Sequence, residues 1–195
     1  MSIEQKKYKR LRKELQFVQS ELEYVQEVLK EGHQTFEEYY RQYCKDKDID
    51  LGKLNEENSK KVDQLIPNPV KKETGVIKYE NKKDKNAFKK LYKKIARKLH
   101  PDLGGDEKEF QEATAAMSEK NFEKILDICD KHGILIEIDK EMLKLLEEQI
   151  SETKEKIKKE KSTYSWSLYS CTDDKCKDNI VRNFLKHLFN YKEKK

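Results

Sequence analysis

His100 and Asp102 flank Pro101 near the middle of a 195-residue chain. A histidine close to a carboxylate could act as a general base with its orienter. That chemistry also needs a nucleophile or a cofactor loop nearby, and neither accompanies the pair. The chain is therefore read as a non-enzyme without a cofactor. His33, His132 and His187 stand too far apart in sequence to form a metal-ligand spacing. Asp46, Asp48, Asp50 and Glu57 fall where a calcium loop places its first, third, fifth and twelfth ligands. Leu51 occupies the sharp-turn position and Gly52 comes one place late, so a solvated turn between helices is expected there and no metal is assigned.

Charge singles out the residues leading into His100. Residues 82–100 contain nine Lys/Arg and one acid, Asp84, a segment charge of +8 within a chain of net charge +5. The remainder is then −3 by subtraction, so the basic character belongs to one element and implies an acidic partner for that element alone. Phe88, Leu91, Tyr92, Ile95 and Leu99 recur at the spacing of one helical face, while Lys89, Lys90, Lys93, Lys94, Arg97 and Lys98 fill the other. Pro101 cannot continue that helix and disfavours helical geometry at His100, which leaves His100 and Asp102 at a corner. Gly104 and Gly105 supply a turn. Asp106, with Glu109 three residues on, is positioned to cap a following helix in capping-box style. That helix offers Phe110, Ala113 and Met117 towards Leu91 and Ile95, and Phe122, Ile125, Leu126 and Cys129 continue the apolar face.

The elements around this segment read as helices. A seven-residue apolar frame falls on Tyr8, Leu15, Leu22, Leu29, Phe36 and Tyr43, and on Leu11, Val18, Val25 and Tyr39, broken only by Gly32. Such a repeat predicts a coiled coil, either one helix over 4–45 or two helices hinged at Gly32. A polar helix is expected over 53–65, followed by a linker bounded by Pro67 and Pro69, Gly75 and the short stretch 76–79. Leu143, Leu146, Ile150 and Ile157 mark a further helix over 139–162, with Thr153 weakening the stripe. Tyr164, Trp166, Leu168 and Tyr169 form an aromatic patch. A last amphipathic helix gathers Ile180, Val181, Phe184, Leu185, Leu188 and Phe189 on one side. The resulting division is 1–46 coiled-coil helix, 47–81 connector and linker, 82–133 small helical unit, 134–163 second coiled-coil helix, and 164–195 aromatic patch with a C-terminal helix.

Composition agrees with small helical units more than with one large core. Charged residues make up 42% and hydrophobic ones 35%, with six Gly and three Pro. Four cysteines are too sparse for a disulfide scaffold, and no Cys-x-x-Cys spacing suggests a zinc ribbon or redox pair. No stretch approaches the roughly 20 apolar residues that span a bilayer. The expectation is a reducing cytoplasm and no membrane.

Residues 84–117 resemble helix II, the His-Pro-Asp loop and helix III of the J-domain of DnaJ-type co-chaperones. The likeness is carried by the cationic amphipathic helix, the tripeptide at its end, the glycine turn and the capped helix with Phe110 near its start. Three departures stand out: no upstream helix carries the family's Tyr-x-x-Leu-Gly signature, Leu103 takes a commonly basic position, and Met117 stands where an aromatic often follows Ala. The resemblance implies an all-α fold, a small J-domain-like unit flanked by coiled-coil helices and a C-terminal amphipathic helix. It further implies a DnaK-type heat-shock chaperone as partner. Asp102 would pair with a chaperone arginine, His100 and Pro101 would set its geometry, and Lys89, Lys90, Lys93, Lys94, Arg97 and Lys98 would hold an acidic surface of the ATPase domain. Client or location choice would fall to the coiled coil, which could close on residues 139–162 or on a second copy as a homodimer. The rivals are a nucleic-acid binder using the lysines on phosphates, and a structural rod in which the tripeptide only stops a helix. The first leaves His100-Pro101-Asp102 without a role and puts Phe88 and Tyr92 on the core face rather than beside the lysines.

Overall fold

In a computed structural model, which describes residues 2–65, 84–119 and 121–191, the chain is all-helical. The expected linker at Pro67, Pro69, Gly75 and 76–79 lies outside the described residues. In chain order the helices are α1 (Ile3–Asp46), α2 (Leu51–Leu65), α3 (Asp84–Leu99), α4 (Glu107–Ser118), α5 (Phe122–Lys131), α6 (Lys140–Lys161), α7 (Tyr164–Tyr169) and α8 (Asp174–Phe189). A single 3-10 turn, Pro101–Leu103, stands between α3 and α4. Two compact units form, each from two stretches of chain: Met1–Leu22 with Lys78–Lys156, and Glu23–Ile77 with Ile157–Lys195.

In the first unit α3, α4 and α5 pack on one another. Leu91, Ile95 and Leu99 are buried from α3, Ala113 and Ala116 from α4, and Phe122, Ile125, Leu126, Ile128 and Cys129 from α5. Small alanines on α4 allow close helix approach, and the ring of Phe88 meets that of Phe122 at 5.2 Å. The start of α1 belongs to the same unit. Its Leu11, Leu15, Val18 and Leu22 are buried, and so is Arg12, which donates to the Glu123 carbonyl (3.2 Å) and pairs with Asp127 and Asp130 on α5. Ion pairs Lys7–Glu147 (2.8 Å) and Glu14–Lys154 (2.6 Å) lie one heptad apart on both α1 and α6, so the two helices run parallel and in register here. Met142, Leu143, Leu145, Leu146 and Ile150 are buried on α6. Thr153, expected to weaken the stripe, is also buried, because its hydroxyl donates to the Gln149 carbonyl (2.8 Å) and leaves its methyl to pack.

In the second unit Phe36, Tyr43, Cys44, Leu168, Val181 and Leu185 form a buried cluster. Around it Phe36, Tyr40, Tyr164 and Phe184 stack and tilt at 5.0–6.1 Å. The aromatic patch folds as α7 behind the cap Thr163, with Leu168 buried, Tyr164 packed on the core and Tyr169 exposed. Gly32 does not hinge the chain; α1 runs through it, and an added Cβ would meet Ser165 at 4.0 Å. Thr35 donates to Glu31 within α1 instead of starting a new helix.

Three further expectations need correction. The helix predicted from 53 begins at Leu51, because the Asp50 carboxylate accepts the Lys53 amide (3.1 Å) and caps it. That carboxylate is a helix cap, and among the described residues no cluster of His, Cys, Asp or Glu is arranged for a metal. Leu188, placed on the apolar side of α8, is exposed, since it falls in the last turn beyond buried Leu185. Finally, Cys171 and Cys176 are joined across the α7–α8 turn, Cα atoms 5.7 Å apart, although no such pairing was expected from the cysteine spacing. Among the described residues no helix is long and apolar enough to cross a membrane.

Candidate functional site

The corner at His100 is built by local backbone bonds. The His100 amide donates to Ala96 (2.9 Å), closing the last turn of α3. Its own backbone then turns extended, at φ −63° and ψ 129°, as a residue before proline must. Its carbonyl accepts from both Leu103 (2.9 Å) and Gly105 (3.1 Å), and Gly104 reverses the chain at φ +83°. Asp106 accepts the Glu109 amide (3.0 Å) and starts α4 as expected. The capping box stays half-made: the Glu109 carboxylate turns instead to Lys131 and lies 2.7 Å from His132 Nε2.

His100 Nδ1 accepts the Asp102 amide at 3.2 Å. That bond uses the Nδ1 lone pair and assigns the proton to Nε2, while the Asp102 carboxylate stays 3.6 Å from Nδ1. The histidine therefore splints the turn rather than forming a base held by the aspartate. Its ring rests 5.0 Å from Phe110, which limits its swing. Asp102, with its side chain 86% exposed, projects from a corner fixed at both ends. Leu103 beside it is also exposed.

The chain is matched by no protein-family model, no curated protein and no solved structure.

The six cations of α3 from Lys89 to Lys98 are not equivalent. On a helix, Lys89, Lys93 and Arg97 form one i,i+4 row and Lys90, Lys94 and Lys98 the next. Lys94 is half-buried and donates to the Leu135 carbonyl (3.2 Å) and to Glu137 (2.8 Å). Lys98 donates to the His132 carbonyl. Lys89, Lys90, Lys93 and Arg97 are exposed and make no ion pair among the described residues. The tie to Lys94, and then the charges of Lys94 and Lys90, hold the Glu137 carboxyl below its ordinary range.

Segment 134–139, placed in the second coiled-coil helix 134–163, has no regular secondary structure, and α6 starts at Lys140, one residue after the expected 139. Its sequence alternates: Ile134, Ile136 and Ile138 are half-buried, whereas Leu135, Glu137 and Asp139 are exposed. That period of two is the signal the helical reading missed. Gly133, at φ +60°, follows the His132 cap of α5, and Asp139 accepts the Met142 amide (2.7 Å) to cap α6.

Among the described residues, Phe88 and Tyr92 give the cationic face no stacking platform. Phe88 is taken up by Phe122, and Tyr92 is half-buried with its hydroxyl 3.0 Å from Thr114.

Proposed function

We propose that this protein is a J-domain-type co-chaperone that docks on a DnaK-type heat-shock chaperone and raises its rate of ATP hydrolysis. The supporting observation is the exposed Asp102 carboxylate on a splinted corner directly after the basic helix α3. A carboxylate held this way enters an ion pair with little ordering cost, and the neighbouring cations attract an acidic surface over a longer range. The chain supplies binding energy and geometry, and bond cleavage belongs to the partner. Helix I of the family is replaced in this reading by the start of α1, anchored on α5 through Arg12. The unit formed by 23–77 and 157–195 is left to choose client or location.

Single-turnover ATP hydrolysis by a purified DnaK-type chaperone tests this. The chain should accelerate turnover, less so as salt rises. His100→Gln and Asp102→Asn should each abolish acceleration without changing the melting temperature. No acceleration by any cognate chaperone, with steeply salt-dependent binding of duplex DNA, would shift the reading to nucleic-acid binding.

A further inference from the structure

The segment after α5 meets the cationic face of α3 at Lys94 and Lys98. It contributes two backbone carbonyls, His132 and Leu135, and one carboxylate, Glu137, to Lys98 and Lys94. A cleft of about 240 Å³ lies beside it, with Lys90, Lys93 and Arg97 on one side and Glu137 and Glu141 on the other. Buried Leu91 and Met142 also line the cleft. The segment thus presents to Lys94 and Lys98 what an acidic partner would present: oxygen acceptors beside an apolar base.

We infer that segment 132–137 is an internal competitor that holds Lys94 and Lys98 of α3, so that a partner meets Lys89, Lys90, Lys93 and Arg97 first and gains Lys94 only by displacing Glu137. The inference rests on the docking reading above and divides its cationic site into presented cations and a withheld pair. The withheld pair is held by exposed contacts, which are individually weak, so the segment lowers affinity without blocking the site. A client or partner protein that draws the segment off α3 would raise affinity for the chaperone.

A double-substitution cycle on the intact chain tests this, with binding to the ATP-bound DnaK-type chaperone and ATPase acceleration as readouts. Glu137→Gln frees Lys94 and should tighten binding about two- to fivefold, the scale of one exposed ion pair. Glu141→Gln removes the same charge from the cleft without touching Lys94 and should change binding less. In the Glu137→Gln background, Lys94→Gln should erase the gain. Lys93→Gln should weaken binding in both backgrounds. Equal effects of Glu137→Gln and Glu141→Gln, or a gain from Glu137→Gln that survives Lys94→Gln, overturn the inference while leaving the docking reading intact. Failure of the unsubstituted chain to accelerate hydrolysis overturns both.

Discussion

Gly105 packs so closely against Leu99 that an added Cβ would lie 2.2 Å from the Leu99 carbonyl carbon and 2.3 Å from its oxygen. The contact is backbone to backbone, so no side-chain rotation relieves it. Gly104, one residue earlier, needs its positive φ but has open space where a Cβ would go. The two glycines should therefore respond differently. Gly104→Ala should cost about 1–2 kcal/mol, the strain of a left-handed non-glycine residue. Gly105→Ala should cost more, about 2–3 kcal/mol, and should displace the His100 carbonyl bond, removing ATPase acceleration as well. Urea denaturation alongside the turnover assay measures both, and equal stability of the two variants would contradict the assigned packing.

Arg12 carries the attachment of α1 to α5. It is buried, while Asp127 and Asp130 keep their side chains 50% and 65% exposed. Removing the guanidinium leaves those carboxylates free to rehydrate, so the loss should fall short of that for a fully buried pair. Arg12→Ala should destabilise by about 1–3 kcal/mol. Arg12→Met, which keeps the aliphatic stem, should recover part of it. Chemical denaturation of the three proteins decides the point.

The same network sets a pH dependence. Glu123 is raised from 4.5 to about 7, first by burial, then by its hydrogen bond to Asp127 and the charge of that carboxylate, with Arg12 and Gln16 opposing. A raised carboxyl means that the folded chain binds more protons than the unfolded one between those values. Its stabilisation is complete below 4.5 and is lost as pH rises through about 7. Melting temperature should fall across that interval, and Glu123→Gln should flatten the slope. A slope unchanged by the substitution would assign the dependence to other groups.

Cys171 and Cys176 should behave as a pair and Cys44 and Cys129 as buried free thiols. Under denaturing, non-reducing conditions alkylation should label Cys44 and Cys129 only, and all four cysteines after reduction. The bridge closes a short loop that contains Asp173, the cap of α8. Its loss should cost about 2 kcal/mol or less, localised by hydrogen exchange to the start of α8. Labelling of Cys171 and Cys176 without reductant would show the dithiol form.

Much of the corner at His100 was legible because it is made by neighbours in sequence. Proline dictates the extended residue before it, and Asp106 caps within three residues. The heptads of α1 and the apolar stripe of α3 were legible for a similar reason, since a helical period writes burial directly into spacing. Residues 134–139 were misassigned where two periods adjoin: an alternating hexapeptide runs into a 3–4 stripe, and the longer pattern absorbed the shorter. Asp50 resembled a calcium ligand because an acidic residue before a helix looks the same in either role.

The order of charges and apolar residues alone determined that this chain is helical, that one helix is cationic, and that a proline stops it beside a carboxylate. These follow from interactions within a few residues, and each residue type has few local alternatives. Tertiary structure decided which lysines remain available, what anchors α1, and which cysteines meet. Those outcomes depend on groups such as Lys94 and Glu137, or Arg12 and Asp127, brought together across 43 and 115 residues. Local pattern carries no record of such distances, because a lysine on a helix face looks the same whether its partner is solvent or a distant segment.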